Sequence, residues 1–258
     1  MNQGAVLVEY DGPLARITLN RPEKLNAINL AWVQELDAAV SALAARPGVR
    51  VVVVRGAGRA FCAGLVLDML AREGMPSGLY ELQERAFHGL EVMGKITVAI
   101  LHGYCLGGGL QLAIACDIRV CSTECRIDLP AINEGLVPGM APFRLPRLIG
   151  LGPARRLILS GEVVGPGDAL RLGLIDHLVP ANTFEVDVTE ILERYLAAPA
   201  TAAVASKQLM RQAFHVPFER VYQASERLLA DCLASPEVEA AKKAWRERQA
   251  RQGESHRP

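Results

Sequence analysis

Val98-Ala99-Ile100-Leu101-His102-Gly103-Tyr104-Cys105-Leu106-Gly107-Gly108-Gly109-Leu110-Gln111-Leu112-Ala113 reads as an apolar strand, a turn, and an apolar helix that opens on three consecutive glycines. Glycine has no Cβ, so this backbone can approach a ligand closely, and the unpaired N–H groups of a first helical turn favour negative charge. A second loop, Phe61-Cys62-Ala63-Gly64-Leu65, follows another apolar strand at Val51-Val52-Val53-Val54. Both loops place bare backbone N–H groups where a ligand oxygen can reach, which is how an oxyanion hole is made. A strand followed by glycine and a helix is also common in α/β proteins as mere tight packing. Either loop alone leaves both readings open.

Upstream, residues 5 to 19 read as a hairpin about Asp11-Gly12, and Leu30 to Ala45 has helical apolar spacing before the stop at Pro47-Gly48. Between the loops, a helix over 79 to 93 has an apolar face of Leu79, Leu82, Ala86, Leu90 and Met93. Its polar face carries Glu81, Glu84, Arg85 and His88, with Glu84 and His88 spaced to pair across one turn. Ile118 to Cys121 is a further strand. Beyond about residue 153 the patterns are helical, at 153–160, 185–197, 200–214, 217–234 and 236–250, with only Gly173 to Val179 extended. The class is α/β: a β-rich core over 1–195 and a helical C-terminal region over 196–258.

The chain has 258 residues, 50% of them hydrophobic, enough for an extensive core. Lys plus Arg equals Asp plus Glu at 28 each, so no global charge attracts nucleic acid or an anionic membrane, and any phosphate contact must be local. No apolar run reaches the length of a membrane helix, and Met1-Asn2-Gln3-Gly4 has neither a basic start nor an apolar stretch. A cytoplasmic location is expected. The six cysteines form no C-x-x-C pair and are expected to be reduced. His88, His102, His177, His215 and His256 lack metal-ligand spacing, so no metal is expected.

Five motifs, taken in order, carry a resemblance: Leu19-Asn20-Arg21-Pro22-Glu23-Lys24-Leu25-Asn26-Ala27, Arg59-Ala60-Phe61-Cys62-Ala63-Gly64, His102 to Ala113, Ala115-Cys116-Asp117-Ile118-Arg119, and Gly135-Leu136-Val137-Pro138-Gly139. Together they resemble the enoyl-CoA hydratase/isomerase family, the crotonases. The resemblance implies a spiral of ββα units and assembly into trimers or dimers of trimers through the C-terminal region. It implies acyl-CoA chemistry of the fatty-acid type, with coenzyme A as part of the substrate and no separate cofactor.

By the same resemblance, the N–H groups of Leu65 and Gly108 bind the thioester carbonyl, Ala63, Val66 and Leu67 belong to the adjoining substrate-binding loop, and Lys24 and Leu25 lie along the nucleotide. Removing a proton beside a thioester, or adding water to its conjugated double bond, moves negative charge onto that oxygen, and two prepositioned donors can each lower the barrier by roughly 3 to 4 kcal/mol. The acidic residue that the family usually has after the first donor is Val66 here. Lys24 is either a phosphate contact or a solvated side chain. Lys242, Lys243, Arg246 and Arg248 are likewise either a 3′-phosphate face or a solvated one that complements the helix dipole.

The departure from the family concerns proton transfer. Hydratases carry a glutamate two residues past the glycine triplet and another after the proline of a Phe-Gly-x-Pro-Glu stretch. Here those positions are Gln111 and Ala131. A glutamine exchanges no proton near neutral pH and an alanine makes no hydrogen bond. A positioned acid or base is worth about 10² to 10⁴ in rate, so efficient hydration is not expected.

An unpaired amide in the apolar Leu110–Ala115 helix would cost about 1 to 3 kcal/mol, so Gln111 requires a partner: a substrate or water in the site, or a neighbouring backbone. Three carboxylates are candidate replacements. Glu134 lies four residues past Pro130, Asp128 two before it, and Glu84 matches a histidine position of the family's dehalogenases, whose nucleophile position is Gly139. Each is equally readable as an ordinary salt bridge or cap. Cys62 reads as packing. The favoured function is isomerisation or carbon–carbon lyase chemistry through an enolate, against a silent acyl-CoA binding protein or a hydratase.

Overall fold

The computed structural model describes residues 4–254, with side chains left aside at Glu73 and beyond Arg248; Met1–Gln3 and His256 fall outside this range. Strands β1 (Val6–Asp11) and β2 (Leu14–Leu19) form the expected hairpin, in register from Val6 opposite Leu19 to Asp11 opposite Leu14. Helix α1 (Leu30–Ala45) starts on Asn29, whose side chain accepts from the Trp32 N–H at 3.0 Å, and buries Trp32, Val33, Leu36, Val40 and Leu43. There follow β3 (Val51–Gly56), α2 (Leu67–Glu73), α3 (Leu79–Val92), β4 (Ile96–Leu101), β5 (Tyr104–Leu106), α4 (Gly108–Ile114), β6 (Ile118–Ser122) and β7 (Arg126–Asp128). The first unit ends with α5 (Ala141–Ile149), α6 (Leu151–Ser160), α7 (Pro166–Leu172), β8 (His177–Val179) and α8 (Phe184–Ala197).

Six strands form one sheet in the order β1-β2-β3-β4-β6-β8, parallel everywhere except at the hairpin, while β5 and β7 pair parallel in a separate ribbon. Alternate side chains go to opposite faces. Ile17, Leu19, Val52, Val54, Ala99 and Leu101 join the large core, whereas Leu14, Val51, Val53, Val98, Ile100 and Val120 pack with Val188, Ile191 and Leu192 of α8. Coverage on both faces explains why Val51–Val54 reads as an unbroken apolar run rather than an alternation. Burying each such Val, Leu or Ile side chain contributes about 1.5 to 3 kcal/mol.

The chain divides into two compact units, 1–196 and 197–258. The second holds α9 (Ala200–Gln212), α10 (Phe218–Ala234) and α11 (Pro236–Glu254). Within it the Glu237 carboxylate accepts from the Ala200 and Thr201 N–H groups at 3.0 and 2.9 Å, which caps the start of α9.

Several elements carry no sequence signal of their own. The extended stretch expected from Gly173 shrinks to three residues, because Gly173 takes φ 74° to end α7 and the strand begins only at His177. The ribbon strands β5 and β7 are three residues each and are held by a partner more than twenty residues away. Helix α5 forms despite Pro146 within it.

Candidate active site

The first glycine loop is held by its neighbours on both sides. Ala63 N–H donates to Leu25 O at 3.0 Å, Ile28 N–H to Gly64 O at 2.7 Å, and Val66 N–H to Ile28 O at 3.1 Å. This isolated bridge uses the amides of Ile28 and Val66 and leaves that of Leu65 outside it. The preceding turn puts Leu25 and Asn26 in left-handed backbone, at φ 51° and 57°. Buried Asn26 stabilises that turn: its Oδ1 accepts from Arg21 N–H at 2.8 Å, and its Nδ2 donates to Ala57 O and Ala60 O at 2.9 and 2.8 Å. The Leu19–Ala27 motif therefore builds the loop's support.

The second loop lies directly on the first. Cys62 N–H donates to Tyr104 O and Leu106 N–H returns to Cys62 O, both at 2.9 Å. A Cβ on Gly64 would stand 2.9 Å from Leu106 O and 3.4 Å from Gly108 N. One on Gly108 would stand 2.6 Å from Ile28 Cδ1. Gly107, at φ 50°, turns the chain, and its N–H donates to Asp128 O at 3.0 Å. Gly108 is the first residue of α4, so its N–H has no intrahelical acceptor.

A cavity of about 200 Å³ opens against these loops. Of the residues singled out in the sequence, Ala63, Leu65, Leu67, Gly108, Gln111, Ala131 and Glu134 line it. Lys24, Leu25 and Val66 do not. Lys24 is exposed at the end of a short 3₁₀ turn, and Leu25 contributes its carbonyl to Ala63. Met69 packs against the large core, and Met75, Tyr80 and Gln83 join the lining. Pro138 and Gly139 line it as well.

The polar groups behind this wall correct one expectation and sharpen another. Gln111 is only 6% exposed, yet its Oε1 has no protein donor among the described residues. Glu84 does not pair with His88: its Oε2 accepts from Arg144 Nη1 at 2.8 Å, while His88 Nδ1 lies 3.1 Å from Glu91. Arg144, 6% exposed, also donates to Glu91 Oε1 through Nε at 2.9 Å. Glu84 is thus tucked under α5 rather than solvated, and its Oε1 is buried without a donor. Asp128 is buried, with Oδ2 3.6 Å from Arg126 and Oδ1 unpartnered, whereas Glu134 is exposed at the cavity rim. The one hint of the Arg144 cluster in the sequence is a cation within the otherwise apolar start of α5.

The cysteines are free thiols, five of them buried. Burial pushes the Cys62 thiol up to about 12, which removes the thiolate that a nucleophile needs. Cys62 is packing beneath the loop.

The chain belongs to the enoyl-CoA hydratase/isomerase family, whose model matches residues 9–255. Its fold is the crotonase fold, with a mostly parallel sheet and a helical C-terminal region. It is 29% identical to a short-chain-enoyl-CoA hydratase of Clostridium acetobutylicum, covering 100% of both chains. An enoyl-CoA hydratase structure from Mycobacterium smegmatis superposes with a TM-score of 0.89 at 26% identity, over 95% of this chain and 97% of that one. A Thermobifida fusca structure in complex with acetoacetyl-CoA gives 0.81 at 28% identity, over 90% and 95%.

Proposed function

We propose that the protein is an acyl-CoA thioester enzyme in which the N–H groups of Leu65 and Gly108 hold the thioester oxygen while an enolate forms. The observation that carries this reading is that both residues line one cavity, with neither amide engaged in the bridge or helix beside it. Because α4 has seven residues, the support comes from bare amides close to the ligand rather than from a long helix dipole. At about 200 Å³ the cavity suits the acyl end, not a whole coenzyme A. Lys24 and Leu25 then run along the nucleotide outside it, and coenzyme A enters only as part of the substrate.

Isomerisation or carbon–carbon lyase chemistry is the favoured reaction. Gln111 and Ala131 stand in the lining where a hydratase needs two glutamates. The Clostridium relative is named a hydratase, which favours hydration as a second reading, and a silent acyl-CoA binding protein is the third. Three measurements separate them: titration with a short acyl-CoA, deuterium exchange at the carbon beside the thioester, and loss of the conjugated chromophore of a short trans-2-enoyl-CoA. Binding with exchange and slow chromophore loss supports the favoured reading; rapid chromophore loss supports hydration; binding without exchange supports the silent protein. No binding of any coenzyme A ester overturns the whole proposal.

We further propose that the C-terminal unit joins copies of the chain as trimers or dimers of trimers. Helix α10 exposes Phe218, Tyr222, Leu229 and Leu233 in the single chain. Sedimentation velocity tests this, and a monomer at micromolar concentration overturns it.

A further inference from the structure

Two buried acceptor oxygens flank the Gly139 turn. A Cβ built on Gly139 would lie 2.3 Å from Gln111 Oε1 and 3.1 Å from Glu84 Oε1, and neither oxygen has a protein donor among the described residues. Two acceptor oxygens cannot satisfy each other, so a donor is required there. Gly139 and Gln111 both line the cavity, so that turn lies at its wall.

Glu84 is also aimed. Arg144 Nη1 holds its Oε2 at 2.8 Å, which leaves Oε1 as the free end of a fixed carboxylate. The same guanidinium binds Glu91 through Nε and Nη2, at 2.9 and 3.2 Å. One cation therefore faces two carboxylates. The other titratable groups beside this cluster are Tyr80, whose hydroxyl is raised by burial and by the Glu84 charge, and His88 on Glu91.

We propose that Glu84 is the proton-transfer group of this cavity, working through a hydroxyl bound between its Oε1 and Gln111 Oε1. The proposal rests on the acyl-CoA reading above. In the first step a water within hydrogen-bond reach of both oxygens takes the proton from the carbon beside the thioester while giving its own to Glu84 Oε1. The C–H bond breaks, its electron pair moves onto the thioester oxygen as the enolate, and the Leu65 and Gly108 N–H groups hold the charge. Return of the proton from Glu84 through the same water, to the same carbon or to the far end of a conjugated chain, restores the carboxylate. No oxidant, reductant or cofactor is required. Gln111 then orients the relay instead of exchanging a proton itself.

The test compares deuterium exchange beside the thioester of a short acyl-CoA in the wild-type chain, E84Q, E84D and E91Q, with acyl-CoA affinity measured for each. E84Q is expected to lose about 10²-fold or more in exchange while affinity stays within about threefold. E91Q, which removes the other carboxylate on Arg144, is expected to lose at most about a tenth as much. E84D keeps a charge for Arg144 and draws the free oxygen back by one methylene, so it reports on the role even where E84Q fails to fold, and its exchange is expected to fall. Equal losses in E84Q and E91Q, or undiminished exchange in E84Q or E84D, overturn the assignment. Binding without exchange in the wild-type chain also overturns it, whereas failure of the wild-type chain to bind any coenzyme A ester instead overturns the acyl-CoA reading itself.

Discussion

Gly109 sits on the backbone of Cys62 so closely that a Cβ there would lie 2.3 Å from the Cys62 carbonyl oxygen and 3.0 Å from its carbon. The obstacle is main chain, which cannot swing aside as a side chain can. The helix carrying Gly108 is thereby docked on the loop carrying Leu65, and the spacing of the two proposed donors depends on this contact.

Gly109→Ala is therefore expected to separate the loops. Overpacking of this kind costs about 1 to 3 kcal/mol, and loss of one aligned donor costs about 10² to 10³ in rate. Thermal unfolding should show a lowered Tm, and thioester exchange should fall well beyond what the stability loss explains. A variant with unchanged exchange would remove the second loop from the proposed site.

Restoring the two missing acids should move the chemistry toward hydration. In Q111E/A131E both new carboxylates face the cavity, and the one at 111 stands beside Glu84 Oε1, where the two like charges would share a proton. Loss of the conjugated absorbance of a short trans-2-enoyl-CoA should be about tenfold faster, or more, than with the wild-type chain.

Arg144→Met tests the cation beneath the site. Burial opposes the charge on Arg144, but hydrogen bonds to Glu91 and Glu84 outweigh it and raise its pKa. Removing it leaves two largely buried carboxylates without their cation, at a cost of about 3 to 5 kcal/mol. Urea unfolding at pH 7 should show this loss.

The buried thiols predict alkaline sensitivity. Cys62 rises from its ordinary 9.0 to about 12 because it is buried. Cys105 rises for the same reason, and Cys121 through its hydrogen bond with Cys125 and then burial. The unfolded chain loses these protons first, so the stabilisation they provide is complete below pH 9 and declines as pH rises toward 12. Tm should fall between pH 9 and 11, and native-state alkylation at pH 8 should mark the partly exposed Cys232 in preference to the other five.

Local pattern made the hairpin, α1, α3 and the central strands legible, because each is specified by residues close in the chain: Asp11-Gly12 turns the hairpin, and the period of apolar side chains matches each helix or strand. The glycine loops were legible for a related reason, since φ 85° at Gly64 and φ 50° at Gly107 belong to backbone that few other residues adopt. Cys62 also read correctly as packing, and it is fully buried.

The proton-transfer cluster was not legible in the same way. Glu84 and Arg144 are sixty residues apart, and helical spacing drew Glu84 to His88, which the structure gives to Glu91. Gln111 was expected to have a partner, and only folding showed two acceptors facing one glycine turn. The sequence by itself determined the family, the hairpin, α1, α3, the central strands and the two loops that must be glycine, because those depend on short-range sterics and periodicity. Tertiary structure alone decided which carboxylate stands behind the cavity, because side chains from α3, α4, α5 and the Gly139 turn converge there only when the core beneath them packs.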